Sequence, residues 1–368
     1  MLALYIHWPY CLSKCPYCDF NSHVSAHIDH TAFAKALEAE LRFMASMTNK
    51  RALSSIFFGG GTPSLMQPQT VERLINTAQD LFGFEDDIEI SMEANPTSVE
   101  AERFKAYAHA GVNRLSMGIQ ALDDDRLRSL GRTHSRAEAM AAFDIARAYF
   151  NRVSFDLIYA QAGQSAAGWE QELRQALSMA VDHLSLYQLT IEEGTRFFEL
   201  HQRGKILCLP EEEAAELFLQ TQEICEAAGL PAYEISNHAR IGAQSRHNLA
   251  YWRYQDYIGV GPGAHGSFHD LTGARLHSET IKDPQAWLQS VRSRQNGICV
   301  QEVIPVEMQQ RESLMMGLRL TEGVQLAQEP ASLAWLQELG LVNYNRPQLS
   351  VTAKGRPVLN RILRELLV

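Results

Sequence analysis

The chain has no run of about 18 apolar residues, so its sequence offers no membrane-spanning helix. It has no excess of positive charge. The formal net charge is −10 at pH 7, which argues against a basic nucleic-acid footprint. Internal repeats and low-complexity segments are absent, so the fold is not read as a repeat array. Met1–His7 is strand-like and lacks both a basic n-region and a cleavage site, so no secretory signal is expected. The expected compartment is the cytosol, where thiols stay reduced.

Cysteine is scarce and uneven. Of six, Cys11, Cys15 and Cys18 crowd into eight residues, while Cys208, Cys225 and Cys299 are scattered. A disulfide framework would be spread more evenly, and a tight cluster in a reducing compartment reads as metal binding. The scattered three are expected to be buried structural thiols.

What is present is an ordinary globular composition, 46% hydrophobic and 21% charged over 368 residues. That length holds one large domain of about 200–250 residues plus a smaller one. The first 235 residues alternate between two patterns. Strand-like runs fall at Leu2–His7, Ser54–Phe58, Ile88–Glu93, Arg114–Gln120, Val153–Tyr159 and Leu184–Leu189. Helical periodicity falls at Ala32–Met47, Thr70–Leu81, Ala101–Ala110, Arg136–Tyr149, Trp169–Met179 and Glu211–Ala228. Pro68 and Ser98 read as helix starts, Gly111 and Gly229 as stops. Such alternation implies parallel strands with right-handed crossovers. The fold class is α/β. Periodicity does not choose between an open sheet and a partial barrel, but the motifs bear on it. The cysteines follow strand one, and Gly59-Gly60-Gly61-Thr62-Pro63 follows strand two. Glu93, Gln120, Asp156 and Tyr187 lie in or at the ends of strands three to six. Chemistry on the carboxyl ends of six consecutive strands favours a curved sheet around one cavity.

Three parts are expected: a barrel core over 1–235, an aromatic-, His- and Gly-rich accessory region over 236–300, and a helical end over 301–368. A helix start is expected at Asp283-Pro284. The last part, with a hairpin near Leu341–Val351, has a winged-helix pattern. From Ser313 to Val368 it carries six Arg/Lys against four Glu, a balance that does not suit DNA binding.

Three thiolates in Cys11-x3-Cys15-x2-Cys18 can converge on one centre from a short loop. A closed zinc site needs a fourth ligand, which His7 or His23 could supply, but no second Cys-x-x-Cys knuckle exists. An iron–sulfur cluster takes four thiolates; with three, one iron stays open for a small ligand. The spacing favours the cluster.

The Cys-x3-Cys-x2-Cys motif resembles the signature of the radical S-adenosylmethionine (SAM) superfamily. The words LYIHWPYC, FFGGGTPSLM, MEANP, GIQ, LGR, FDLIY and LMMGLRLTEGV resemble, in order, the oxygen-independent coproporphyrinogen III dehydrogenase family and its relatives. This likeness covers nearly the whole chain. It implies a partial (β/α)6 barrel and a [4Fe–4S] cluster on Cys11, Cys15 and Cys18. SAM would chelate the open iron and be cleaved, on reduction, to methionine and a 5′-deoxyadenosyl radical. The resemblance implies SAM contacts from Tyr5, Gly60, Gly61, Thr62, Glu93, Gln120, Arg132 and Asp156. Each alone also reads as an ordinary turn, strand aromatic or surface polar residue. One departure stands out: relatives continue DLIYGLP, whereas Ala160-Gln161-Ala162 follows Tyr159 here.

Two features resemble the heme-chaperone (HemW) branch more than the dehydrogenase. Phe20 stands where the dehydrogenase motif has a further cysteine. Strand one is read from Leu2, so no long N-terminal cover is expected. His247-Asn248-Leu249-Ala250-Tyr251-Trp252 also resembles that branch's His-Asn-x-x-Tyr-Trp heme motif. An imidazole can ligate heme iron while aromatics pack on the porphyrin. His247, Asn248, Tyr251 and Trp252 are therefore the heme candidates, with His265 a second possible ligand. Gly261-Pro-Gly263-Ala-His-Gly266 fits G-x-G-x-x-G without a following helix pattern, so no dinucleotide site is expected.

The expectation is a chaperone that carries a SAM-ligated [4Fe–4S] cluster, binds heme and passes it to acceptor proteins, with an electron donor for the cluster. The runner-up is the dehydrogenase itself. The weakest reading is a zinc-stabilised binding module.

Overall fold

The computed structural model describes residues 1–25, 27–49, 51–179, 182–206 and 208–367. Six parallel strands lie side by side in chain order: β1 Leu2–Trp8, β2 Leu53–Gly60, β3 Phe84–Ala94, β4 Arg114–Gln120, β5 Arg152–Tyr159 and β6 His183–Gln188. The sheet continues beyond both ends. β7, Asn237–Ala239, pairs antiparallel with β6. On the other side β8, Asp256–Val260, runs parallel to β1. It is followed by the antiparallel strands β9 His265–His269, β10 Arg275–Thr280 and β11 Ile298–Val303.

The central strands are buried almost throughout, as expected of parallel strands covered on both faces. In β1 only Tyr5 is less than fully buried, and in β2 only Phe57. In β5 the exceptions are Arg152, at its start, and Asp156. Tyr5, Phe57 and Asp156 face the barrel interior, so partial exposure marks the lumen row by row.

The helices begin where local chemistry dictates. The Asp29 side chain accepts from the Ala32 amide to cap His30–Met47, satisfying an orphan N–H. Pro68 opens Pro68–Phe82 at its first turn, where a missing N–H is tolerated. Ser135 and Glu138 form a reciprocal capping box on Arg136–Tyr149. The helix expected over 101–110 is two pieces, Ser98–Ala101 and Phe104–His109. Between them the Arg103 amide turns back to the Glu100 carbonyl at 2.9 Å. Its guanidinium meanwhile reaches the Ser64 and Leu65 carbonyls, so tertiary contacts override the helical period.

One apolar core runs from Leu2 to Ile298, so the side chains of 236–300 share it with the barrel. A second core gathers Leu314, Leu336, Val342, Leu349, Ile362 and neighbours. Around it lie helices Val306–Gly317, Leu333–Glu338 and Leu359–Leu366 and the hairpin Val342–Asn345 with Gln348–Val351. Among the described residues no helix is long and apolar enough to cross a membrane.

Of the scattered cysteines, Cys225 is buried as expected, but Cys208 and Cys299 are exposed. Cys299 lies on β11, which among the described residues pairs with β10 alone and forms one edge of the sheet. Cys208 lies in the connection after helix Arg196–Gln202.

Candidate functional site: a thiol cavity at the barrel mouth

After β1, Tyr10–Cys11 pairs with His23–Val24. Cys11 ends the first of these segments, and the intervening loop carries Cys15 and Cys18. It is tied down by Asn21, whose amide donates to the Pro262 carbonyl at 2.9 Å and the Lys282 carbonyl at 3.0 Å. The loop closes over a cavity of about 140 Å3 at the carboxyl ends of the strands. Cys11, Cys15, Cys18, Gly60, Gly61, Thr62, Glu93, Gln120, Arg132 and Asp156 all line it. Of the SAM candidates named from sequence, Tyr5 alone is not in this lining. It faces a second cavity of about 210 Å3 deeper in the barrel, which shares Glu93 and Asp156 with the first.

Two sulfurs receive hydrogen bonds from definite donors, and Cys18 Sγ meets the Ser22 hydroxyl at 3.9 Å. Thr62 Oγ1 donates to Cys11 Sγ at 3.3 Å, and Arg132 Nη1 donates to Cys15 Sγ at 3.1 Å. Asn95 joins these donors, accepting from Arg132 Nη2 at 2.6 Å and donating to Thr62 Oγ1 at 3.2 Å. Burial pushes the Cys11 and Cys18 thiols above their ordinary range, and neighbouring cysteine charge adds to the rise. Three thiolates here would need a cationic centre to hold them ionised.

The donor set fits a cluster better than a single ion. The three Sγ atoms do not all lie within 4.8 Å of one another. Thiolates on one tetrahedral zinc, at about 2.3 Å each, would stand roughly 3.8 Å apart. No histidine and no fourth cysteine is among the described residues lining the cavity. Three thiols and two sulfur-directed donors suit a [4Fe–4S] cluster that keeps one iron without a protein ligand.

Gly60 takes φ 112°, and a Cβ there would meet the His7 ring at 2.6 Å, so the turn after β2 requires glycine. His7 cannot yield easily. Its Nδ1 meets the Tyr5 hydroxyl at 2.9 Å and its Nε2 the Asn21 carbonyl at 2.8 Å. The Gly60 amide donates to Glu93 at 3.3 Å. Burial, reinforced by the nearby Asp156 charge, pushes the Glu93 carboxyl up to about 8. Burial pushes Asp156 to about 6, against hydrogen bonds from Ser185 and Ser116. Two desolvated carboxyls at a cavity wall suit a ligand with ammonium or hydroxyl groups. Gln120 holds φ 72°, a strained backbone of the sort found at functional sites.

The heme candidates do not share one surface. His247 is 3% exposed and lines the deeper cavity with Asn248 and Tyr251. Its Nδ1 meets Ser55 Oγ at 3.1 Å, while its Nε2 has no hydrogen-bond partner among the described residues. Phe57 stacks on the ring at 4.9 Å. Burial lowers its ionisation to about 3, so the imidazole is neutral. Asn248 donates to the Tyr233 hydroxyl at 3.1 Å. Trp252 is outside the cavity lining, with Arg319 above its ring at 5.6 Å.

Sequence reasoning missed Asn95 and Arg114. Asn95 lies inside the quoted MEANP word but showed no separate signal. Arg114 begins β4, where a cation reads as a surface residue. It is 2% exposed and donates to Ser154 Oγ at 2.9 Å, facing the deeper cavity.

Residues 5–176 match the Radical SAM superfamily. A protein of Haemophilus influenzae named Heme chaperone HemW is 41% identical over 296 residues, covering 78% of this chain and 76% of that protein. A Danio rerio protein named Radical S-adenosyl methionine domain-containing protein 1, mitochondrial, is 40% identical over 326 residues, 88% of this chain and 73% of that one. The solved structure of coproporphyrinogen III oxidase (HemN) from Escherichia coli, described as a radical SAM enzyme, superposes with a TM-score of 0.82. It covers 99% of this chain and 89% of that chain at 22% identity, which speaks for the fold alone. The sheet described above is therefore the α/β fold of radical SAM proteins, and the chain belongs to the HemW family of the radical SAM superfamily.

Proposed function

We propose that this protein is a heme chaperone that carries a [4Fe–4S] cluster on Cys11, Cys15 and Cys18 and binds SAM beside it. In this reading it binds heme, transfers it to acceptor proteins and takes electrons from a separate donor in a reducing compartment, the cytosol. The observation that carries the reading is the likeness to curated heme chaperones across most of both chains. The cluster, when bound, supplies one electron to SAM. The chain's own residues do the rest. Thr62 and Arg132 direct hydrogen bonds at the sulfurs, and Gly60 and Gly61 keep the turn after β2 free of side chains. Glu93 and Asp156 offer carboxyl groups to the ligand and Gln120 completes the wall, while Tyr5 stands in the deeper cavity that shares Glu93 and Asp156.

For heme, His247 offers a neutral imidazole with a free Nε2, oriented by Ser55 on its other nitrogen, the arrangement typical of iron ligands. The cavity it faces, about 210 Å3, is below the roughly 300–1,000 Å3 of sites for drug-sized ligands. Heme ligation by His247 therefore requires this cavity to open.

The test begins with anaerobic reconstitution. Four irons and four sulfides per chain are expected, lost on Cys11→Ala, Cys15→Ala or Cys18→Ala. One tightly bound zinc and no iron would sink the cluster reading. Heme titration should saturate near one equivalent, and the loaded protein should pass heme to an apo-hemoprotein. His247→Ala should weaken binding or shift the Soret band. Coproporphyrinogen III should remain unconverted under the same conditions; its conversion to protoporphyrinogen IX would favour the dehydrogenase reading instead.

A further inference from the structure

Away from the thiol cavity, three metal-ligating side chains converge among the described residues. His265, His277 and Glu279 offer ligand atoms that all lie within 4.8 Å of one another. Glu279 Oε1 stands 3.1 Å from His277 Nε2 and 3.9 Å from His265 Nδ1. The two imidazole centroids are 5.7 Å apart.

Strand register brings them together. His265 on β9 stands directly opposite Glu279 on β10. His277 lies two residues before Glu279, so a period of two returns it to the same face. This face continues that of Tyr5, through Gly259 on β8 and then Tyr257, which pairs with Ser267 on β9. The trio therefore sits on the lumen side of the sheet extension. β9 and β10 form a hairpin, and the residues flanking its base, Pro262 and Lys282, hold Asn21 of the cysteine loop through their carbonyls.

We propose that His265, His277 and Glu279 bind one divalent transition-metal ion, with water in the remaining positions. Two imidazoles and a carboxylate are a donor set for Zn2+ or Fe2+. Side-chain exposures of 49%, 31% and 31% leave room for water on the ion. Heme iron is a poor occupant. A porphyrin leaves only two axial positions, on opposite faces, whereas these three groups approach one point from a single sheet face. A bound ion braces the hairpin that anchors the cysteine loop, so its effect reaches the thiol cavity without touching it.

The test uses untagged protein with its cluster in place, cleared of loose metal by brief chelation and titrated with Zn2+ by calorimetry. One saturable equivalent is expected. His277→Ala and Glu279→Gln should each weaken it at least tenfold, while His109→Ala, at an exposed histidine elsewhere, should leave it unchanged. Iron content reports that each variant is folded. A variant that loses its cluster is replaced by His277→Gln, which keeps a polar side chain of similar reach. Absence of a saturable equivalent, or equal affinity in the wild type and both site variants, overturns the proposal. Heme is absent from the assay, so this outcome is separate from that of the chaperone reading.

Discussion

Glu93→Gln should stabilise the metal-free fold as pH rises. The Glu93 carboxyl ionises near 8 in the fold, against an ordinary value near 4.5. Below about 4.5 the acid is protonated whether the chain is folded or not, and it makes no difference to stability. Between 4.5 and 8 the unfolded chain is ionised while the folded acid still holds its proton, so the fold loses stability as pH rises. At 1.36 kcal/mol per tenfold, the full span is worth on the order of 5 kcal/mol. Two effects reduce it. Asp156, pushed to about 6, titrates with Glu93 as a pair, and solvent enters through the cavity mouth. About 2–3 kcal/mol is therefore expected. Glutamine keeps an oxygen for the Gly60 amide and removes the titration. The assay is urea unfolding of the cluster-free protein near pH 5.5 and pH 8. The wild type should lose more stability over that interval than the variant, while all other groups titrate alike in both. Parallel pH profiles would refute the argument. If SAM binds as proposed, the same variant should bind it more weakly at pH 8, giving opposite signs for stability and affinity.

Ala160→Gly should stabilise the protein by about 0.5–1 kcal/mol, measured by urea midpoint, because Ala160 holds φ 57°. Relief of about 1–2 kcal/mol of left-handed strain exceeds the added chain entropy of glycine; a loss of stability would contradict this. Gly60→Ala should lower stability by about 1–3 kcal/mol, since the His7 ring is held from both sides. It should also blunt any SAM-induced change in the EPR signal of the reduced cluster. Glu40→Ala should lower stability by about 2–4 kcal/mol, since it strands three buried donors: the Gly261 amide at 2.7 Å, the Gly297 amide at 2.6 Å and the Trp287 indole at 3.0 Å. Thermal unfolding that leaves Glu40→Ala level with the wild type would show those donors rehydrated.

The parallel strands and the helices between them were legible because burial on both faces forces continuous apolar runs, and because caps such as Ser135 act locally. The rim was legible for a related reason. A polar residue in an otherwise apolar strand, such as Glu93 or Asp156, stands out, and both line the thiol cavity. Glu40 was not legible. It sits on an amphipathic helix as any surface acid would, and only the arrival of Gly261 and Gly297, more than 200 residues away, buries it. Arg114 was hidden the same way. The extension of the sheet by β8 to β11 was missed because a hairpin's pairing with a distant strand leaves no mark in local periodicity. At Ala160 the departure from the family's glycine was visible in the sequence, but its left-handed backbone was not.

The His-Asn-x-x-Tyr-Trp word shows how a motif read as one strip divides when it folds. In a helix, residues four apart share a face and adjacent residues do not. His247 and Tyr251 are four apart, and their rings meet at 5.0 Å inside the barrel. Trp252, one residue on, turns toward Arg319 of the C-terminal part. His247 and Trp252 therefore face different surroundings while helix Arg246–Trp252 keeps its place. The helix is held there by Ser245, which caps it, and by Glu89, which accepts from the Arg246 amide at 3.0 Å and from Ser245 Oγ at 3.2 Å. Glu89 is 2% exposed and also pairs with Arg152 at 2.7 Å. If heme reaches His247 by outward motion of this helix, Glu89 is the latch. Glu89→Gln weakens the charge-assisted part of that hold and should speed heme association with little change in the Soret position. Slower association, or a displaced band, would mean that heme approaches by another route.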